Sequence, residues 1–520
     1  MGLSPMLAAD SQEKPDPLRS AEEFAKAFFD REFATAVGQF DKTMSTVLPA
    51  AKLGELLKGL EQQAGPFKDR GKSRLVETKQ YQIVFVPCRF EKMTLEMKVV
   101  LDKELRVTGL FFQLPAANWK PPAYVVKERF DETTVDVVTK SRIPGEAEPR
   151  EWRLPGFLTT PKGDGPFPGV VLVHGSGPND ADETIGDNKP FKDLAWGLAS
   201  RGVAVLRFVK RTSQFGKEVL QVYPEFTVRE ETEDDAQSAI QLLQQANRID
   251  PHRVYLVGHS LGGWIAPRIA ERTPELAGIT ILAGNTRAFE TLVVDQLRYI
   301  TELDGDISPD EQTQLDTAKK DFELALSPDL KPSDTVSVLG SKVPGAYFLD
   351  MRTYDAAAVA KRVKQPILVL QGESDYQVTM EDFAGWKQAL ADAPHARFKS
   401  FPQLNHLFMR IDGKSTPENT LKAGHVDEQV VEEIAVWINS GEILRSSCPA
   451  FYPSGQGEAS GIASVHGSDE WRRGGLRLHR IHHFYAKYVP GNSNGVPIRR
   501  SGPIPCKSIL SRNRQRAIRD

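Results

Sequence analysis

Gly258-His259-Ser260-Leu261-Gly262 matches the pattern G-x-S-x-G and lies between an apolar segment and a helix-like segment. Residues 253–257 before it predict a buried strand, and a helix is predicted from about Trp264. A sharp turn between the two would hold Ser260 above the sheet, at the start of a helix whose dipole favours developing negative charge. The alternative interpretation is an ordinary Gly/Ser-rich turn. The strand and the helix on its two sides favour a nucleophilic serine.

A serine hydroxyl needs a base to take its proton, and in this arrangement the acid and the histidine come later in the chain. Asp375 stands shortly after the predicted strand Ile367–Leu370. His406 stands in the loop after the predicted strand Arg397–Phe401. The order Ser, Asp, His and the position of each residue after a strand predict a catalytic triad of Ser260, Asp375 and His406.

Four other residues compete for the two supporting roles. Glu373 is the rival acid, and its alternative role is that of a solvated turn residue. Asp382 is a weaker rival because it falls in a predicted helix. His395 and His425 are rival bases, but neither follows the end of a strand, so we expect both to lie on the surface.

Two backbone donors are expected for the negative charge that an attacked carbonyl oxygen acquires. One is the N–H of Leu261, directly after the serine. The other should come from the loop after the predicted strand that ends at Val173, where Gly175 and Ser176 are the candidates. The predicted oxyanion hole therefore consists of Leu261 with Gly175 or Ser176.

The sequence around these motifs alternates between strands and helices, which predicts an α/β fold with a mostly parallel sheet. The run Gly169–Val173 is continuously apolar, as in a strand buried on both faces. We assign residues 124–444 to this catalytic domain. Residues 285–363 form an insertion with few strand signals, for which we predict a helical lid rather than a merely structural excursion.

A different pattern precedes that domain. Residues from about 20 to 58 have helical spacing, and three strand-like runs follow them up to residue 112. Residues 18–115 are therefore predicted to form a small α+β domain, and the proline-containing stretch 116–123 a linker.

The two ends of the chain differ in composition from the rest. Residues 1–17 are predicted to be a disordered leader. Residues 445–520 are predicted to be a disordered basic tail, because the last 80 residues hold 10 Gly and 6 Pro without periodicity. This last segment has a net charge of +8, which leaves −11 on the first 440 residues. If Leu7-Ala8-Ala9 is the end of a truncated signal peptide, the protein is exported; otherwise we expect it in the cytoplasm.

Composition excludes several classes of protein. The chain is 40% hydrophobic and 26% charged, which is typical of a soluble globular protein. Its acidic body argues against nucleic-acid binding, and no run of about 18 apolar residues predicts a membrane span.

The three cysteines have no zinc-site spacing. Gly175-Ser176-Gly177 does not continue as a dinucleotide loop, because Asp180 occupies the third-glycine position. We therefore predict neither a cofactor nor a metal.

Residues 124–440 resemble a bacterial branch of the α/β-hydrolase superfamily that holds carboxylesterases and dienelactone-hydrolase-like proteins. The resemblance is carried by the serine turn and by His174-Gly175-Ser176-Gly177-Pro178, Asn188-Lys189-Pro190-Phe191, Gln371-Gly372-Glu373-Ser374-Asp375 and Leu404-Asn405-His406. It implies hydrolysis of carboxylic esters with small or short-chain acyl groups and without a cofactor. Residues 20–115 resemble a small domain of unknown function that precedes such hydrolases.

Three readings of function follow. The first is a serine esterase acting on a small-molecule ester. The second is a peptidase or a thioesterase on the same scaffold, although an amide substrate needs leaving-group protonation and recognition residues that the sequence does not reveal. The third is a catalytically inactive binding protein, against which stand the three competent residues Ser260, Asp375 and His406.

Overall fold

A computed structural model describes residues 16–77, 81–91, 93–113, 119–143, 145–338 and 341–440. The chain divides into two compact units between residues 115 and 116. Residues 1–15 of the predicted leader, residues 116–118 of the predicted linker and the predicted tail 445–520 lie outside the described residues.

The described residues of the first unit form four helices packed on an antiparallel sheet. The elements are α1 (Pro17–Phe29), α2 (Phe33–Gly38), α3 (Lys42–Val47), α4 (Ala50–Ala64), β1 (Phe67–Arg70), β2 (Arg74–Glu77), β3 (Gln82–Phe90), β4 (Thr94–Leu101) and β5 (Val107–Gln113). The strand order is β1-β3-β4-β5, and β2 also pairs with β3. Phe24 and Phe28 of α1 are fully buried in the core between the helices and the sheet. The sequence analysis did not predict β1 and β2, which are only four residues each.

The described residues of the second unit form ten strands. They are β6 (Phe130–Ser141), β7 (Arg150–Pro161), β8 (Phe167–Val173), β9 (Ala204–Phe208), β10 (Ile249–His259), β11 (Gly278–Leu282), β12 (Thr335–Val338), β13 (Ser341–Pro344), β14 (Ile367–Gly372) and β15 (Ala396–Phe401).

The same described residues form eleven α-helices, each shorter than five turns; ten lie between strands in the sequence and the last follows β15. They are α5 (Pro190–Ala199), α6 (Arg211–Phe215), α7 (Lys217–Val222), α8 (Asp234–Gln244), α9 (Leu261–Arg272), α10 (Phe289–Thr301), α11 (Pro309–Ala325), α12 (Gly345–Thr353), α13 (Ala356–Ala360), α14 (Met380–Ala389) and α15 (Glu428–Asn439). A π-helical turn at Arg229–Glu233 precedes α8, and 3₁₀ turns lie at Lys127–Arg129 and Pro417–Leu421.

Eight of the strands form one twisted sheet in the order β15-β14-β11-β10-β8-β9-β7-β6. The six strands from β15 to β9 are parallel, whereas β7 and β6 pair antiparallel at one end. The predicted α/β class is therefore confirmed. Because the parallel strands share one direction, their carboxyl ends bring residues distant in sequence to the same edge of the sheet.

The central strands are apolar because helices cover both faces of the sheet. In β8, Val171 and Val173 belong to the core that includes residues of α8 and α9, while Val170 and Leu172 belong to the core beneath α5 and α15. All four side chains are buried. This is the packing that the continuous apolar run predicted.

The sequence missed the long hairpin of β6 and β7. In β6 only Phe130, Val137, Thr139 and Ser141 are buried, and most of the other residues are polar, so the strand is not a continuous apolar run. The insertion 285–363 is mostly helical, with α10 to α13, and it also contains the unpredicted small hairpin β12–β13. In the part of the chain that the structure describes, no helix combines the length and the apolar character needed to cross a membrane.

Candidate active site

Ser260 stands at the turn between β10 and α9 with φ 53° and ψ −117°. A positive φ is unfavourable for a residue with a side chain, so the surrounding backbone must enforce this conformation. Two glycines permit it. A Cβ on Gly258 would overlap the carbonyl oxygen of Gly262, and a Cβ on Gly262 would overlap that of Val173. The first turn of α9 thus lies against the end of β8, and the G-x-S-x-G pattern meets a steric requirement.

Asp375 and His406 form a buried pair at the carboxyl edge of the sheet. His406 Nδ1 lies 2.6 Å from Asp375 Oδ2, and both side chains are nearly inaccessible to solvent. The other carboxylate oxygen, Oδ1, accepts hydrogen bonds from the backbone N–H groups of Gln377 at 2.7 Å and Val378 at 3.1 Å. Because these contacts fix the carboxylate, it can hold the imidazole with its Nε2 turned away from Asp375.

The loop that carries His406 is fixed by its neighbour Asn405. The Asn405 side-chain oxygen accepts hydrogen bonds from the backbone N–H groups of Leu407 at 3.0 Å and Met409 at 3.1 Å. Gly372, at the end of β14, allows this loop to approach, because a Cβ there would overlap the carbonyl oxygen of Leu404. The ends of β14 and β15 therefore bring the acid and the histidine together.

His259 connects the His406 loop to the serine turn. Its Nε2 lies 2.9 Å from the carbonyl oxygen of His406, and the two imidazole rings have centroids 4.8 Å apart. Ser260, the next residue, is partly exposed, and its hydroxyl makes no hydrogen bond with another described residue. The structure thus places the three predicted triad residues around one point of the sheet edge.

The rival residues have other partners. Glu373 accepts a hydrogen bond from the Ser400 hydroxyl at 2.7 Å in an exposed position. The Asp382 carboxylate pairs with Arg287 at 2.7 Å.

The rival histidines also lie elsewhere. His425 Nδ1 lies 3.2 Å from the carboxylate of Asp193 in α5. His395 directly precedes β15, so it stands at the amino end of that strand, opposite the end that leads to His406.

The hydrogen bonds of the loop after β8 distinguish between Gly175 and Ser176, the two candidates for the second oxyanion donor. The N–H of Gly175 donates to Glu183 Oε1 at 2.7 Å, so it is already engaged. No described residue accepts a hydrogen bond from the N–H of Ser176 or from that of Leu261. The Cβ position of Gly175 lies only 3.1 Å from Ser260 Cβ, so this loop passes directly beside the serine. Ser176 and Leu261 are therefore the available pair.

Glu183 and His259 form a buried ion pair beneath the site, with 2.9 Å between Glu183 Oε2 and His259 Nδ1. Burial opposes the charged form of His259, but the Glu183 carboxylate overrides it and raises the pKa of the imidazole. Burial likewise favours the neutral form of Glu183, but the positive charge of His259 lowers the pKa of the carboxyl. The contact therefore favours the charged form of both groups.

The pKa of His174 is shifted in the opposite direction to that of His259. Burial lowers the pKa of its imidazole to about 4, so the ring is neutral. Its Nε2 lies 3.0 Å from the carbonyl oxygen of Asp180, a contact that closes the loop. Sequence reasoning missed Glu183, and its only signal was an acidic residue within the loop that begins at His174.

Within the described ranges, no three His, Cys, Asp or Glu side chains are grouped so that they could hold a metal ion.

Two family models match the chain. Residues 21–110 match one described as a protein of unknown function (DUF3887), and residues 170–422 match the alpha/beta hydrolase family. Esterase EstD of Thermotoga maritima is 38% identical over 418 residues, which cover 80% of this chain and 93% of that protein.

Two solved structures are also similar. Est1E from Butyrivibrio proteoclasticus is 14% identical with a TM-score of 0.36, over 59% of this chain and 99% of that chain. The esterase domain of a Rhodothermus marinus protein is 18% identical with a TM-score of 0.36, over 60% of this chain and 98% of that chain.

We predict that replacement of His259 by Asn lowers stability in a pH-dependent way. The raised pKa of His259 means that its contribution is fully present below its ordinary pKa of 6.5 and is lost as the pH rises through the higher folded value. The variant should lose about 3 kcal/mol of unfolding free energy near pH 6, and the difference from wild type should shrink toward pH 9. Denaturant unfolding at a series of pH values measures this. His252→Asn, at an exposed position, is the control. A pH-independent difference would contradict the ion pair.

Proposed function

Since the chain belongs to the α/β-hydrolase family, we propose that it is a serine hydrolase that cleaves carboxylic esters through an acyl-enzyme on Ser260. The observation that carries the proposal is the buried 2.6 Å contact between His406 Nδ1 and Asp375 Oδ2, at the sheet edge where the strained serine turn also stands. The relative EstD is named an esterase, which supports an ester as the substrate.

In the first step His406 Nε2 takes the proton of Ser260 Oγ while Oγ bonds to the ester carbonyl carbon. The carbonyl oxygen becomes negatively charged, and the N–H groups of Leu261 and Ser176 donate hydrogen bonds to it. Asp375 stabilises the imidazolium without taking its proton. The intermediate then reforms the carbonyl and breaks its bond to the alcohol oxygen, which receives the proton from His406.

In the second step a water molecule repeats this chemistry on the acyl-enzyme. His406 removes a proton from the water as its oxygen attacks the acyl carbon, and the same two N–H groups stabilise the new oxyanion. The bond to Ser260 Oγ breaks, and Oγ recovers its proton from His406. The acid leaves and the enzyme returns to its starting state without any cofactor.

We assign to the insertion 285–363 the role of a lid that forms part of the acyl pocket. Two contacts of α10 support this. Tyr299 stacks on Tyr376, the residue after Asp375, with ring centroids 4.9 Å apart and an interplanar angle of 9°. Gln296 Nε2 donates to the carbonyl oxygen of Gln377 at 2.8 Å. The insertion therefore packs on the loop that carries the catalytic acid.

Replacement of Ser260 by Ala should lower kcat on a nitrophenyl ester by about 10⁶-fold, because it removes the hydroxyl that forms the acyl-enzyme. Wild type should react with a fluorophosphonate probe, and mass spectrometry should locate the adduct on Ser260. Ser238→Ala, on α8, serves as the control. Near-wild-type turnover by the Ser260 variant would refute the proposal.

The two candidate acids can be separated by isosteric amides. Asp375→Asn should reduce kcat by about 10⁴-fold, because the amide favours the wrong tautomer of His406. Glu373→Gln should change kcat little, since the Glu373 carboxylate bonds the Ser400 hydroxyl. Steady-state kinetics on one ester compares them, and a reversal of the two effects would make Glu373 the acid.

We expect short acyl chains to be preferred, and we propose that the stacked rings of Tyr299, in the insertion, and Tyr376, in the loop of the acid, form one wall of a small acyl pocket. Nitrophenyl acetate and butyrate should have higher kcat/KM than the decanoate, and matched anilides should react far more slowly than the esters. A series of graded esters, thioesters and anilides measures both. A maximum at the decanoate would contradict the restricted pocket, and a preference for the anilides would make the enzyme an amidase.

A further inference from the structure

Two buried charged side chains that the proposed mechanism does not use hold the backbone of Gly175. The carbonyl oxygen of Gly175 accepts a hydrogen bond from Lys210 Nζ at 2.8 Å. The N–H of the same glycine donates to Glu183. Asn179 Nδ2 also donates to the Gly175 carbonyl oxygen at 3.2 Å. Hydrogen bonds to both the N–H and the carbonyl oxygen therefore fix the orientation of Gly175.

A planar trans peptide makes that fixation relevant to the oxyanion hole. The carbonyl of Gly175 and the N–H of Ser176 belong to one peptide unit, and in a trans peptide they point in opposite directions. As long as Lys210 holds the carbonyl oxygen, the N–H of Ser176 must point to the side away from Lys210. If the peptide turned over, an oxygen would replace that N–H and would repel the oxyanion.

Lys210 is itself positioned by a second buried group. Lys210 Nζ lies 2.6 Å from Glu231 Oε1, and the two side chains are 3% and 1% exposed. Glu231 lies in the π-helical turn Arg229–Glu233, and such turns recur at functional sites. A buried ion pair is often no more stabilising than apolar residues of the same size, so its presence suggests a task other than stability.

The chain of contacts continues into the insertion. The hydroxyl of Tyr347, in α12, donates to Glu231 Oε2 at 2.7 Å. Burial raises the pKa of this phenol well above its ordinary value, so the hydroxyl remains protonated and can donate. Tyr347, Glu231 and Lys210 thus connect the insertion to the Gly175 carbonyl oxygen through three successive polar contacts.

We propose that Lys210 is a positioning residue for the oxyanion hole, which orients the Gly175–Ser176 peptide and is held in turn by Glu231 and Tyr347. The proposal rests on the proposed function, because it requires an oxyanion to be formed at Ser260. It adds that residues of the insertion act on transition-state stabilisation, and not only on the shape of the acyl pocket.

The first test compares an ester with the thionoester of the same acyl group, because sulfur is a weak hydrogen-bond acceptor and depends less on the oxyanion hole. Lys210→Met should reduce kcat for the ester by about 10²-fold, as expected when one oxyanion donor is misplaced. KM should change little. The ratio of kcat for the ester to kcat for the thionoester should fall together with kcat for the ester. A general loss of structure would lower both kcat values and leave this ratio unchanged.

Two further variants keep the test decisive if Lys210→Met does not fold. The double variant Lys210→Met/Glu231→Gln leaves no unpaired buried charge and should show the same lowered ratio. Tyr347→Phe removes one hydroxyl and should lower kcat by roughly 3- to 10-fold with a shift of the ratio in the same direction. Its matched control is Tyr354→Phe, which removes another buried hydroxyl, bonded to the Trp264 carbonyl oxygen at 2.9 Å.

The outcomes distinguish this proposal from the proposed function. If wild type neither hydrolyses esters nor reacts with a fluorophosphonate at Ser260, the proposed function fails. If wild type does both, and every folded variant of Lys210 and Tyr347 keeps the wild-type kcat and the wild-type ester-to-thionoester ratio, only the positioning role is overturned.

Discussion

The close contact of backbone with backbone at the serine turn is the constraint on which the site depends. The first turn of α9 can lie against the end of β8 only because Gly258 and Gly262 carry no side chain. That contact holds Ser260 at a positive φ, which the residue would not adopt alone. The strained backbone of Ser260 is held in place by the packing of strand β10, which contributes side chains to the buried cores on both faces of the sheet.

Two buried ion pairs join the residues after β9 to the segment that begins with the π-helical turn. Lys210 and Arg211 follow β9, and each pairs with an acid on the segment that begins with the π-helical turn: Lys210 with Glu231, and Arg211 with Asp235 at 2.5 Å. An uncompensated charge at such depth would strongly destabilise the fold. The pairs therefore fix the register of this segment against β9, and through Lys210 they also fix the Gly175 peptide.

Local patterns predicted the scaffold but not the contacts between its distant parts. The run Gly169–Val173 was predicted to be a strand buried on both faces, and the structure extends this strand by only two residues, to Phe167–Val173. The hairpin β6–β7 was missed because its outer residues are polar. The triad residues were predicted from their order and their positions after strands, and their roles remain proposals. Glu183 and Lys210 carry no pattern, since the partners of each are chosen by tertiary packing.

The insertion has contacts on both sides of the proposed chemistry. Through α10 it packs on the loop after Asp375, where Gln296 holds the Gln377 carbonyl oxygen. Through α12 it reaches Glu231, the partner of Lys210. A shift of this segment would therefore alter the support of the base and the orientation of the Gly175 peptide together. Because the two contacts come from different helices of one insertion, the packing of that insertion couples the loop of the proposed acid to the peptide of the proposed oxyanion hole.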